Sequence, residues 1–206
     1  MCFNSKISFN TYIYGSLIAI ILLLINETPI LNIYIAYSIS LIQLMEYLAW
    51  INIDNNNINK KENIYYLSII GLLILFIQIL LININNLEGI ERIIIVILII
   101  ILIIYIFYYN YKNDKFNITV GNNGHLIWHW IDIEYLNVIG LFFWLYPFLR
   151  INNYFTFILA SISIIFSTYN FYKYKTFGSM WCYIGNFMWI ILIFNIIYKK
   201  LFNNNE

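Results

Sequence analysis

The chain has few charged residues and very few cysteines or prolines. Of its 206 residues, 10% are charged and 62% are hydrophobic, and cysteine and proline occur twice each. Soluble domains carry about 25% charged residues, so the composition excludes an ordinary soluble fold. Cys2 and Cys182 permit one disulfide at most, and we expect two free thiols that say little about the compartment.

The chain also lacks an excess of positive charge. Its formal net charge is +1, with 11 Lys and Arg against 10 Asp and Glu. Nucleic-acid binding requires a basic surface, so DNA and RNA are not expected as partners. The expected partners are membrane lipids, and a homo-oligomer is left open. No small-residue cleavage site follows the first apolar run, so we expect the first helix to be retained.

Long apolar runs fill most of the sequence. The run 90–109 has only Glu91 and Arg92 as charges, both at its start, and it meets the requirement of ~20 residues for a membrane-spanning helix. The sequence therefore predicts an all-α, multi-pass integral membrane bundle with seven transmembrane helices in one domain, 1–206. The predicted spans are about 9–26, 29–52, 64–84, 90–110, 126–149, 152–172 and 178–198.

The lysines and arginines between these spans predict their orientation. With seven spans, Arg92, Arg150, Lys199 and Lys200 lie on the side opposite the N-terminus. The N-terminal side carries a larger set, namely Lys6, Lys60, Lys61, Lys112, Lys115, Lys173 and Lys175. Positive residues concentrate on the cytoplasmic side of membrane proteins, so the N-terminus is predicted to be cytoplasmic.

Glu46 is the most informative polar residue within a predicted span. It lies six positions before the end of span two, roughly 9 Å inside at 1.5 Å per residue. A charged carboxylate in hydrocarbon costs several kcal/mol, so we expect this group to be protonated, paired or in contact with water. Ser40, Gln43, Tyr47 and Trp50 share its helical face, which predicts a polar stripe turned toward other helices.

Both histidines of the chain lie in the segment 124–132. If this segment is helical and opens span five, His125, His129 and Asp132 stand at i, i+4 and i+7, inside an arc about 60° wide. Two imidazoles and a carboxylate on one face can bind Zn²⁺ or relay a proton. The alternative is that all three are hydrated side chains at the start of a membrane helix.

Small and hydroxyl residues also line up within spans six and seven. Such residues allow helices to approach closely and to hydrogen-bond in lipid, so packing explains each set taken alone. Because the spans alternate in direction, however, these residues and Glu46 fall in the same leaflet, beside the start of the chain. This predicts a polar pocket that opens on the N-terminal side. Its predicted lining is Cys2, Ser8, Gln43, Glu46, Trp50, Ser167, Asn170, Ser179, Cys182 and Asn186.

Three short stretches carry a resemblance to a known family. The stretches are 1–3 with 8–9, then 43–50, and finally 178–182. They resemble an uncharacterised multi-pass membrane family of bacteria and large DNA viruses whose members begin MCFS followed by SF and contain Q-x-x-E-G-x-x-W and G-S-x-W-C. Asn4 and Tyr47 depart from the usual Ser and Gly. The resemblance implies a viral or bacterial membrane protein, in a host or virion membrane if viral, and no reaction.

Three functions follow as hypotheses. A binding or scaffold role is favoured, in which the polar stripes hold the helices together around the pocket. The first alternative is a proton, ion or small-solute channel or transporter that uses Glu46 and the histidines. The second is an intramembrane lipid hydrolase, similar to seven-span enzymes of the ceramidase type, with Zn²⁺ on His125, His129 and Asp132 and with Glu46 as general base.

Overall fold

The protein is built almost entirely of helices. The computed structural model describes residues 4–26, 28–54, 60–131, 134–151 and 154–202. The first half contains α1 (Ser5–Ile25), α2 (Ile30–Asp54), α3 (Lys60–Asn86) and α4 (Gly89–Lys112). A short hairpin of β1 (Ile118–Val120) and β2 (Leu126–Trp128) follows. The second half contains α5 (Glu134–Arg150), α6 (Tyr154–Phe171), α7 (Phe177–Gly185) and α8 (Met188–Phe202).

Within the described ranges, five helical stretches are long and apolar enough to cross a membrane. They are α1, α2, α3, α4, and the 18 residues Phe177–Phe194 that combine α7 with the start of α8. The predicted bounds of the first four spans agree with these helices to within four residues. The predicted all-helical class is thereby confirmed, and the five apolar helices fit a membrane-embedded protein.

Short turns between the first helices set their antiparallel order. Asn4 caps α1 by accepting a hydrogen bond of 3.0 Å from the N–H of Ile7, as expected of an N-cap asparagine. Asn26 ends α1 in the left-handed region, with φ 54°. Pro29 immediately precedes α2 and Gly89, with φ 56°, opens α4. Connections this short force consecutive helices to run in opposite directions.

The end of the bundle that holds Asn4 is called the N-side end below. The rings of Phe9 on α1 and Tyr47 on α2 pack there with centroids 4.8 Å apart. Asn63 at the start of α3 donates a hydrogen bond of 2.8 Å to Asn52 near the end of α2. These contacts place the start of α1, the end of α2 and the start of α3 together.

The opposite, far end is held by contacts of α5. Asn83 of α3 donates a hydrogen bond of 2.8 Å to the carbonyl of Phe143. Arg150, the last residue of α5, forms an ion pair of 3.0 Å with Glu91 in the first turn of α4, and Tyr146 donates to the same carboxylate. Helix α5 therefore finishes at the far end, beside the start of α4.

The structure corrects the predicted start of span five. Residues 126–128 form a strand and His129–Ile131 a 3-10 turn, and α5 is described from Glu134 onward. Strand β2 pairs antiparallel with β1, and Trp128 lies opposite Ile118. Isoleucine, threonine, valine and tryptophan favour strands, and Gly124, with φ 76°, supplies the left-handed turn residue between them. The prediction of a helical face is therefore wrong over 125–131, and Asp132 lies outside the described residues.

One side of this hairpin and the turn after it pack against helices, while Val120 and the turn residue Gly124 are exposed. Trp128 packs against Gly71 of α3, and Ile131 packs against Gly178 of α7, so closely that a Cβ on either glycine would overlap the partner side chain. Leu126 and Trp128 are buried. Non-helical backbone is tolerated inside a membrane domain only where protein covers it, and the two glycines make room for that cover.

Burial differs sharply between the helices. More than half of the residues in the most apolar stretches of α2 and α3 are buried, against 11% in α4. The buried residues of α4 are Ile99, Leu102, Ile106 and Asn110. Helices α2 and α3 therefore form the centre of the bundle, and most of the isoleucines of α4 face outward, as expected of a helix in contact with lipid.

Candidate functional site

The polar stripe of α2 packs directly against α7. Ser179 Oγ donates a hydrogen bond of 2.6 Å to Glu46 Oε1, and neither residue is more than 1% exposed. Gln43, one turn away on α2, is also fully buried. The predicted orientation of this stripe toward other helices agrees with the structure. Glu46 and Ser179 were predicted to line one polar pocket. They do lie together, but in a close contact between two helices and not in the lining of a cavity.

A second polar junction lies nearer the middle of the bundle. Ser40 of α2 donates a hydrogen bond of 3.0 Å to Asn186 Oδ1, and Trp189 Nε1 of α8 donates one of 3.0 Å to Ser40 Oγ. Gly15 of α1 lies against both: a Cβ there would be 2.9 Å from Trp189 Nε1 and would overlap Ser40 Oγ. Sequence reasoning missed Gly15 and Trp189, since neither stands out from its neighbours along the chain.

Asn186 also marks a break in the last predicted span. The span was expected to be continuous over 178–198, but α7 ends at Gly185 and α8 begins at Met188. Asn186 N–H bonds to Tyr183 O at 3.2 Å, three residues back. The side chain of Asn186 donates a hydrogen bond of 2.9 Å to Cys182 O. It thereby replaces the bond that the N–H of Asn186 would make to this carbonyl in a continuous α-helix. Side-chain substitution of this kind is what allows a helix to break inside a membrane.

A cavity of about 340 Å³ opens beside this break, between α6 and α8; we call it the α6–α8 cavity. Its walls are mostly apolar and include residues of α2, α3, α5, α6, α7 and α8. Tryptophan aside, its polar side chains are Gln78, Thr156, Ser163 and Cys182. Small-molecule pockets measure about 300–1,000 Å³ and are mainly apolar with a few polar groups. The cavity therefore has the size and chemistry of a ligand site.

A second cavity, of about 110 Å³, lies under the hairpin; we call it the hairpin cavity. Trp128 and Trp130 line it from the hairpin side. Trp144, Trp181 and Cys182 line both cavities. The rings of Trp144 and Trp181 stand edge to face, with centroids 5.0 Å apart. Trp181 belongs to stretch 178–182 of the family resemblance, whereas Trp144 was not singled out from the sequence.

The two histidines do not share the predicted helical face, because strand β2 lies between them. His125 is buried with its ring edge against Phe171, centroids 5.6 Å apart, and His129 Nε2 lies 2.9 Å from Thr119 Oγ1. Four residues of extended chain separate Cα atoms by about 13 Å, whereas one helical turn would have brought the imidazoles together. Asp132 lies outside the described residues. Among those described, no three His, Cys, Asp or Glu side chains are grouped closely enough to hold a metal.

The other predicted pocket residues divide by position. Ser167 lines the hairpin cavity and donates a hydrogen bond of 2.6 Å to Phe177 O. Asn170 is exposed, and Cys2 lies outside the described residues. The remainder are buried without lining either cavity: Ser8, Gln43, Glu46, Trp50, Ser179 and Asn186. The two cavities are thus more apolar than the pocket that the sequence predicted.

Comparison with known proteins adds no relative. The chain matches no protein-family model, no curated protein and no solved structure. The resemblance of stretches 1–9, 43–50 and 178–182 to the MCFS family therefore stays a prediction. Function has to be inferred from the geometry of the cavities and of the polar contacts beside them.

Proposed function

We propose that this chain is a multi-pass integral membrane protein that binds an apolar small molecule in the α6–α8 cavity. The observation that carries the proposal is the cavity itself: about 340 Å³, mostly apolar, and placed beside a break in a helix of membrane-spanning length. Discontinuous helices in membrane proteins commonly border ligand sites. A ligand dissolved in the bilayer would reach such a cavity without passing through water.

The polar junctions give this proposal its scaffold. Glu46 with Ser179, and Ser40 with Asn186, hold the broken α7–α8 segment against α2. Because the cavity is lined by α7 and α8 residues on both sides of the break, these hydrogen bonds hold its wall in place. The polar residues thus act on the structure of the site, and the apolar residues supply its binding surface.

We further propose seven crossings with a cytoplasmic N-terminus. The contacts Asn83–Phe143 and Glu91–Arg150 support a crossing by α5, since they place its end at the far end of the bundle. Helix α6 has 18 residues, or about 27 Å, close to the ~30 Å of the hydrocarbon core. In this proposal the hairpin occupies the part of the membrane thickness that α5 does not span. The excess of lysine between the helices on the N-side end supports the orientation.

Filling the cavity tests the binding proposal. Ala160 lines the α6–α8 cavity and is 8% exposed, whereas Ile162 on the same helix is 58% exposed and lines neither cavity. We expect saturable binding of tritiated tetradecane to the wild-type protein in micelles, measured by scintillation proximity. Ala160→Phe should weaken this binding about tenfold or more, a loss of about 1.4 kcal/mol, and Ile162→Phe should leave it unchanged.

The proposal fails if the wild-type protein shows no saturable binding, or if both phenylalanine variants bind as the wild type does. Circular dichroism of each variant establishes that its helix content is retained. Proton flux in liposomes that disappears in Glu46→Gln would instead support the transport alternative, because that substitution removes a titratable group and leaves the α6–α8 cavity lining intact.

A further inference from the structure

A glutamine in the wall of the α6–α8 cavity indicates what kind of molecule the cavity accepts. Resting on the proposed function, we infer that the ligand is an apolar chain with an uncharged head group that both donates and accepts hydrogen bonds, such as a primary amide or an alcohol. The head group hydrogen-bonds to the side-chain amide of Gln78 on α3, and the chain contacts the apolar remainder of the lining.

Gln78 lies well inside the bundle. It is 3% exposed and lines the α6–α8 cavity. It stands eight residues before the end of α3, roughly 12 Å along the helix axis. At this depth of a membrane helix, burial of an amide without a hydrogen bond is unfavourable. A glutamine in this position is therefore expected to have a partner.

The side-chain amide of Gln78 has no such partner within the described part of the chain. Its Oε1 and Nε2 atoms make no hydrogen bond with any residue that the structure describes. They also differ from the enclosed polar atoms of the bundle. Ser68 Oγ, on the same helix, lacks a partner and has almost no accessible surface, whereas the Gln78 amide retains some. Because Gln78 lines the α6–α8 cavity, a molecule in the cavity can reach this amide.

The chemistry of an amide determines which head group fits. A glutamine side chain has two N–H donors and a carbonyl acceptor, so a head group that both accepts and donates satisfies it. Ser163, which also lines the cavity, is already engaged: its Oγ donates to Ala160 O at 2.7 Å and accepts from Trp181 Nε1 at 3.2 Å. An alkane in the cavity would leave the amide of Gln78 unpaired, which is unfavourable.

The wall of the cavity also determines the charge of the head group. Asp, Glu, Lys, Arg and His are absent from the described residues that line the α6–α8 cavity. A carboxylate, phosphate or ammonium group would be buried there without a counter-charge, at a large desolvation cost. A primary amide or an alcohol hydrogen-bonds to Gln78 without this cost. The lining therefore favours an uncharged amphiphile over a fatty acid or a phospholipid.

Two ligands with the same chain length test the inference. Tetradecane has no head group and tetradecanamide ends in a primary amide; both are tritiated, and their binding to the protein in micelles is measured by scintillation proximity. Gln78→Met keeps the length of the side chain and removes its amide. We expect this variant to lower the affinity for tetradecanamide relative to that for tetradecane by about tenfold, or about 1.4 kcal/mol. Tetradecane should bind the variant at least as tightly as the wild type, since it no longer buries an unpaired amide.

Ser68→Ala is the control variant. It removes a buried hydroxyl group without a partner from the same helix, outside both cavities, so the ratio of the two affinities should equal that of the wild type. If the wild-type protein binds neither ligand saturably, the proposed function fails. If it binds them but Gln78→Met leaves the ratio unchanged, or weakens both ligands equally, only the inference is overturned, since Gln78 then has a packing role.

Two measurements on the wild-type protein do not depend on the folding of a variant. The carbonyl stretch of isotope-labelled tetradecanamide should lie at lower wavenumber in the complex than in dilute alkane solution, because a hydrogen bond weakens the C=O bond. Tetradecanoate at about pH 9, where its carboxyl group is ionised, should bind more weakly than tetradecanamide. An unshifted carbonyl stretch, or equal or tighter binding of tetradecanoate, would overturn the inference.

Discussion

Ser179 of α7 donates a hydrogen bond of 2.6 Å to the carboxyl group of Glu46 on α2, at a point where both side chains are almost completely buried. The sequence predicts that a carboxyl group at this depth must be protonated, paired or hydrated. The structure pairs it with a hydroxyl group on the helix that breaks at Asn186. Helix α7, which this bond joins to α2, contributes Trp181 and Cys182 to the lining of both cavities.

Removing the hydroxyl group of Ser179 should destabilise the bundle. Interhelical hydrogen bonds in membrane proteins contribute about 0.6 kcal/mol on average and up to about 1.7 kcal/mol. We expect Ser179→Ala to lower the free energy of unfolding by about 0.6–1.7 kcal/mol, measured by titration with a denaturing detergent. Glu46→Gln keeps a carbonyl oxygen that accepts the same bond, so this substitution should lower the free energy of unfolding by less than Ser179→Ala does.

Ser68→Ala is the control for this measurement. Ser68 is as deeply buried as Ser179, but its Oγ has no hydrogen-bond partner among the described residues. We expect a change of less than about 0.5 kcal/mol, since no hydrogen bond is lost. Equal losses in Ser68→Ala and Ser179→Ala would show that the bond to Glu46 contributes nothing beyond packing.

Adding a methyl group at Gly15 should disrupt the junction of α1, α2 and α8. The new Cβ would overlap Ser40 Oγ and lie 2.9 Å from Trp189 Nε1. Overpacking of this kind costs about 1–3 kcal/mol, which thermal unfolding in micelles would detect. In Gly140→Ala the new Cβ meets no atom within 4 Å, and the gain in helix propensity should stabilise the protein by about 0.5–1 kcal/mol. The prediction is wrong if the two variants shift the transition in the same direction.

The contact between the hairpin and α7 should show compensation between two substitutions. A Cβ at Gly178 would overlap Cδ1 of Ile131, so Gly178→Ala should destabilise the protein by about 1–3 kcal/mol. Ile131→Val removes that Cδ1 atom at a cost of about 0.5–1.5 kcal/mol. We expect the double variant to lose less stability than the sum of the two single losses. The difference, measured as the coupling energy in a double-mutant cycle, should be about 0.5 kcal/mol or more. Additive losses would place Ile131 away from Gly178.

The ion pair at the far end should matter much less. Arg150 and Glu91 are 60% and 30% exposed in their side chains, and exposed ion pairs contribute about 0–1 kcal/mol. Arg150→Ala should therefore lower unfolding free energy by less than about 1 kcal/mol. The difference from wild type should shrink further at 1 M salt, where the Debye length is about 3 Å. A loss of several kcal/mol would mean that the pair is shielded from water.

Helix positions could be predicted because hydrophobicity along the chain is a local property. The runs that became α1, α2, α3 and α4 are each long enough to cross a bilayer, and their bounds follow from the polar and turn residues at their ends. The burial of the stripe around Glu46 was also predictable, because lipid excludes an unpaired carboxylate whichever helix it faces. Both inferences depend on how apolar and charged side chains interact with lipid, and neither requires knowing which helix a residue contacts.

The remaining features required contacts between residues distant in sequence, so only the tertiary structure decided them. Residues 126–128 became a strand because Ile118 and its neighbours pair with them, and this separated the two histidines that a helix would have joined. The cavities depend on Trp144 and Trp181 meeting across α5 and α7. Composition and periodicity determined that this chain forms long apolar helices of membrane-spanning length, since both are properties of each stretch by itself. Which side chains enclose a space depends on how the helices pack, and no single stretch of sequence contains that information.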